Sequence, residues 1–121
     1  MDISKKDWKL FREKLPDWQE NYMDKLNKQY IELLSNEKET ASDKFWELAK
    51  RIKNDRKNPG VIMDMRKSEA IWNIINLIRL NVITHDDLED FSDDLKQAVD
   101  FVLWRSCLLY TSPSPRDGAT S

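Results

Sequence analysis

The sequence predicts an all-α fold: a compact single-domain bundle of four or five helices, over about 5–15, 16–35, 43–57, 66–80 and 85–105, wrapped around a buried central helix at 68–83. Three observations carry that expectation. The stretch Ser68 to Ile83, SEAIWNIINLIRLNVI, is the most apolar in the chain, and Ile71, Ile74, Ile75, Ile78 and Val82 recur along it at spacings of three and four. Trp72, Leu77 and Leu80 spread apolar surface beyond that stripe, so this helix needs neighbours on several sides. Composition agrees: of 121 residues 35% are charged, 40% are hydrophobic and only two are glycine, unlike a disordered chain. That length supports one domain and one core without a disulfide or a metal.

Ser4, with Asp7 three residues on, resembles a capping box in which Asp replaces the usual Glu or Gln. It opens a first helix with Trp8, Phe11 and Leu15 along one side. Pro16 lacks an N–H and interrupts, yet the stripe continues through Trp18, Tyr22, Leu26, Tyr30 and Leu33. Two helices meeting near Pro16 are favoured over one long helix. After the polar linker Ser35 to Thr40, Thr40 or Ser42 caps the next helix, with Phe45, Leu48, Ala49 and Ile52 expected inward. Asn58-Pro59-Gly60 is a stop and turn. Val61 to Met65 has local strand character but no strand to pair with, so it reads as an extended connector laying Val61, Met63 or Met65 on the core.

Beyond the central helix, Thr84 and Asp87 suggest a second capping box. Leu88, Phe91, Leu95, Ala98 and Val102 then step by three and four, and Ser92 can restart the helix after a short turn. Each of the five tryptophans is expected to find apolar cover, with Trp104 closing the last helix. The pattern stops at Cys107, where residues 107–117, CLLYTSPSPRD, resemble the in-frame translation of a sequencing adapter. On that reading residues 1–106 form the domain, residues 107–121 are a non-native disordered tail, and the single cysteine says nothing about redox compartment.

The chemistry-bearing residues are few. A net charge of −2 gives no global pull toward nucleic acid or acidic lipid. His85, the single histidine, stands beside Asp86 and Asp87, but neighbours in sequence point to different sides of a helix, and no serine or cysteine advertises a nucleophile. An enzyme using His85 with a carboxylate is therefore the least favoured reading, and no catalytic residue, cofactor or metal site is assigned. The acidic cluster Asp86, Asp87, Glu89, Asp90, Asp93 and Asp94 lacks the glycine and alternation of a calcium loop, and reads as a solvated face. The basic cluster Lys50, Arg51, Lys53, Arg56, Lys57, Arg66 and Lys67 is opposed only by Asp55 and Asp64, a density that phosphate binding requires. Basic residues near a helix C-terminus are also ordinary dipole complements. The two clusters could instead neutralise one another. Glu69, Asn73 and Asn76 form a polar row on the central helix, either a strip facing water or the floor of a groove.

The segments DWKLFREKLPDWQENYMDKLNKQYIELLS, KFWELAKRIKNDRKNPGV and ITHDDLEDFSDDLK resemble a group of short bacterial helical proteins of unknown function, over residues 7 to about 105. Some of that group carry the label "multidrug transporter", which this sequence does not support, because no stretch is long and apolar enough to span a bilayer. The resemblance brings no catalytic motif. The expectation is a small soluble, cytoplasmic interaction or regulatory module presenting a charged or aromatic helix face to a partner protein. A nucleic-acid accessory role through the 50–67 cluster is the alternative, and a homodimer is compatible with either.

Overall fold

Ser4 starts the first helix by accepting the Asp7 N–H on its hydroxyl at 3.1 Å, satisfying one of the donors that every helix N-terminus leaves open. The computed structural model describes residues 2–111. Among them are α1 (Lys5–Leu34), α2 (Ala41–Asp55), α3 (Ala70–Arg79) and α4 (Asp93–Thr111), with 3-10 turns at Lys67–Glu69 and His85–Leu88 and no strand. The chain is all-helical, as its periodicity implies.

The pair of helices expected on either side of Pro16 is instead the single helix α1. Pro16 removes one donor and leaves the Arg12 carbonyl without its partner, but both residues are exposed, so water can take that carbonyl. Leu15 and Trp18 on either side are both buried, and a break between them would separate one continuous apolar stripe. Trp8, Phe11, Trp18 and, from the far end of the sequence, Phe91 form a run of tilted rings with successive centroids 6.2 Å apart.

The central segment is buried, as its isoleucines require. Ala70, Ile71, Ile74, Ile75 and Leu77 all lie inside, packed against Phe11, Leu15 and Trp18 of α1 and Leu95 and Val99 of α4. The α-helix covers only Ala70–Arg79 of the expected 66–80, because the first turn tightens to 3-10 geometry over Lys67–Glu69. Its end is specified by Asn81, which adopts φ 60°. The Val82 N–H then reaches the Leu77 carbonyl at 2.8 Å and the Asn81 N–H reaches the Ile78 carbonyl at 3.0 Å, a Schellman motif with asparagine where glycine is usual. Val82 and Ile83 turn back onto the core.

The expected 85–105 helix is divided. Asp87 accepts the Thr84 N–H at 2.7 Å and opens the short 3-10 turn, and the chain restarts at Ser92, whose hydroxyl accepts the Leu95 N–H at 3.2 Å. α4 continues to Thr111, past the end foreseen near Ser106, and the rest of the adapter-like stretch and tail, 112–121, lies outside the described residues. Val61 still belongs to the turn, its N–H reaching the Asn58 carbonyl at 2.8 Å, and Ile62 to Met65 form the connector, of which Met63 and Met65 rest on the core.

One polar contact ties the two ends of the core together. Asp7, 3% exposed among apolar neighbours, does not return to Ser4 as a capping box would. Its carboxylate instead accepts the Ser92 N–H at 3.0 Å and the Ser92 hydroxyl at 2.5 Å. A single negative charge thus sits at the N-termini of both α1 and α4, where each helix dipole favours it. Replacing Asp7 with Ala should lower the unfolding free energy by about 2 kcal/mol, because the Ser92 N–H and hydroxyl both lose their charged acceptor. Ile74→Ala should cost more, about 3 kcal/mol, because the side chain is fully enclosed. Urea denaturation followed by circular dichroism checks both.

Candidate functional site

The helix α2 departs from expectation in a way that bears on function. Phe45, Leu48, Ala49 and Ile52 form its apolar stripe, yet none of its residues is buried, and Phe45 is 61% exposed. The core closes around α3 and the first half of α1, and α2 packs mainly on the outer half of α1. Together they make a helical hairpin standing beside the core. Trp46, Trp72 and Trp104 are likewise exposed, against the expectation that every tryptophan finds cover.

The hairpin is held by polar stitches at its base. The Tyr30 hydroxyl donates to the Asp55 carboxylate. The Gln19 amide donates to the Pro59 carbonyl at 3.0 Å, and the Asn58 amide donates to the Tyr22 hydroxyl at 3.1 Å. Asn58 also accepts the Gly60 N–H at 2.7 Å, which folds the Asn58-Pro59-Gly60 turn against α1. Glycine suits this position because a Cβ would clash with Cδ2 of Tyr22, so the ring would have to shift. Burial first, and then the bond to Asp55, push the Tyr30 phenol up to about 12. Burial, then the nearby Asp55 charge, raise Tyr22 as well.

The basic cluster is distributed over α2, the turn that follows it and the 3-10 segment before α3. Trp46, Lys50 and Lys53 step by four and three along α2 and Lys57 continues the line past its end, all exposed. Arg56 caps α2, and Arg51 turns to Glu47 one turn back at 3.0 Å. Arg66 pairs with Asp64 at 2.9 Å. Lys67 lies beside Asp2 and Ile3. Lys50, Lys53, Arg56 and Lys57 make no ion pair among the described residues.

The acidic cluster is spent largely on helix starts. Asp86 and Asp87 lie in the first turn of the 3-10 segment, and Asp93 and Asp94 in the first turn of α4, where they complement the dipoles. Glu89 ends the 3-10 turn, and Asp90 meets Lys14 at 3.3 Å. No member pairs with the basic cluster, and no three acidic, histidine or cysteine side chains among the described residues come close enough to hold a metal ion. His85, half-exposed, meets Asp100 on α4 at 2.6 Å rather than Asp86 or Asp87. That contact had no sequence signal, since the two residues are brought together by the turn between them.

Glu69, Asn73 and Asn76 do line a groove, of about 450 Å³, between α3 and the 57–66 connector. Trp72 stands beside them, with Lys57 and Arg66 at the rim. A second cleft, of about 440 Å³, lies over Asp7, Ser92 and Ile71. Asp7 is committed there to holding α4, which makes it a structural group.

No helix among the described residues is long and apolar enough to cross a membrane. Comparison with known protein families, curated proteins and solved structures gives no match to this chain.

Two measurements test the hairpin base. Gly60→Ala should cost about 1–3 kcal/mol through overpacking against Tyr22, seen as a lowered thermal midpoint. In an ultraviolet titration of the phenols, the step near 12 should vanish in Tyr30→Phe and move toward 10 in Asp55→Ala. Because the folded value is raised, the stability Tyr30 contributes is complete below the ordinary phenol value near 10 and is lost as pH climbs through about 12.

Proposed function

We propose that this chain is an interaction module, a single-domain helical bundle working in the cytoplasm, whose α1–α2 hairpin presents a charged and aromatic face to a partner protein. The observation that carries the reading is the exposure of α2. An amphipathic helix with no buried residue, showing Phe45 and Trp46 to solvent, retains apolar surface that its own core does not use. Aromatic side chains lose little conformational entropy on docking and dominate binding hot spots. The two rings meet edge to face at 5.0 Å, a pre-organised pair. The neighbouring cations Lys50 and Lys53, in no ion pair among the described residues, would steer encounter with an acidic surface.

A second reading, a nucleic-acid accessory, draws on the line Trp46, Lys50, Lys53 and Lys57, which alternates a stacking ring with phosphate-seeking charges. It is weaker, because Glu13, Asp17, Glu20 and Asp24 make an exposed acidic line along α1. Tagged chain recovered from its native host separates the two. The interaction reading expects the same protein in repeated, nuclease-treated preparations, and its loss with Phe45→Asp or Lys50→Glu/Lys53→Glu. Recovery abolished by nuclease supports the nucleic-acid reading instead, and recovery of no macromolecule removes both.

A further inference from the structure

The hairpin has one broad face that turns away from the core. Ile31 and Asn27 lie half a turn around α1 from Phe11 and Trp18, which the core encloses. Ile31 and Leu34 on α1 are 62% and 47% exposed, and Phe45 and Ile52 on α2 are 61% and 39% exposed. An apolar groove of about 260 Å³, lined by Met23, Leu26, Tyr30 and Ile52, runs between the two helices. Asp55, which accepts the Tyr30 hydroxyl, and Arg56 line the same groove at its basic edge.

The two edges of this face carry opposite charge. Along α1, Glu13, Asp17, Glu20 and Asp24 recur at four, three and four residues, with Lys28 paired to Asp24 at 3.0 Å. Along α2 the edge is Lys53, Arg56 and Lys57, none in an ion pair among the described residues. A face that is acidic on one side, apolar in the middle and basic on the other is complementary to itself. Rotated by a half turn about an axis parallel to the helices, it lays α1 of each copy over α2 of the other. Acidic edge then meets basic edge on both sides, and both cores remain on the outside. A polyanion would have to run along the acidic edge.

We propose that this face docks a second copy of the chain, two hairpins closing into a four-helix layer with two-fold symmetry. The proposal rests on reading the hairpin as an interaction surface and names its occupant. Fifteen residues of α2 give a face about 22 Å long. That extent is at the lower end of specific interfaces, and the test is therefore set to detect dissociation at ~1–100 µM.

Sedimentation of the full chain from ~1 to ~200 µM, a span chosen to bracket that range, should show the mass rising from 14.4 kDa toward twice that value. Phe45→Asp/Ile52→Asp should remain monomeric throughout with unchanged helical circular dichroism, since both side chains are exposed. Lys53→Glu/Arg56→Glu and Glu20→Lys/Asp24→Lys should each weaken self-association by ~tenfold or more, and a mixture of the two should pair again through restored charge complementarity. A wild-type chain that stays monomeric at the highest concentration overturns the proposal. So does a dimer that survives Phe45→Asp/Ile52→Asp and is lost with Trp104→Asp, which would place the contact on α4. Should the wild type be monomeric while a different protein is captured and lost with Phe45→Asp, self-pairing fails and the interaction reading stands. If no protein is captured either, both fail.

Discussion

A helix of 30 residues spans about 45 Å, and the apolar cluster that surrounds α3 meets only the first half of α1, through Phe11, Leu15 and Trp18. This mismatch of length sets the rest of the architecture. Beyond Trp18 the helix has left the core, and what covers its inner side is α2, folded back by the turn at 35–40. The hairpin exists because α1 outruns the bundle, and its outward face stays open because no other element among the described residues covers it.

The two halves are held by different physics. In the core, Phe11, Ile74, Ile75, Leu77, Leu88 and Val99 are fully enclosed, each contributing about 1.5–3 kcal/mol of burial. The hairpin encloses Leu26 and depends otherwise on bonds at its base, from Tyr30 to Asp55, Gln19 to Pro59 and Asn58 to Tyr22. Each such bond contributes on the order of 1 kcal/mol net, because water competes for the same groups. The stability of the molecule is therefore concentrated at one end, while exposed apolar side chains occur at both, Phe45 and Trp46 on α2 and Phe101 and Trp104 on α4.

Local signals in the sequence were reliable where the partner is local. Ser4, Thr40 and the Thr84–Asp87 pair cap helices as their spacing implies, Asn58-Pro59-Gly60 turns, and the isoleucines at 71, 74 and 75 are inside. The Glu69, Asn73 and Asn76 row does line a groove. What could not be read depends on distant residues. Asp7 fits a local capping box, but its carboxylate serves Ser92, far along the chain. His85 finds Asp100 rather than its acidic neighbours. Periodicity showed which side of α2 wants burial, but not whether anything stands there to bury it. Pro16 read as a break because propensity counts the missing donor, whereas the buried pair Leu15 and Trp18 keeps the helix continuous.

Trp18 is the last residue of α1 in the core, two residues past Pro16, and this position divides one continuous helix into two classes of backbone amide. Before it, the amides that face Phe91, Leu95 and Val99 exchange their protons with water only when the whole core opens. After it, the last turns toward Leu34 can fray together with α2 while the core stays shut, since Leu26 is the one buried side chain that holds this half of α1. The longest helix of the chain is geometrically single but thermodynamically double, with one half melting on the terms of the core and the other on terms of its own.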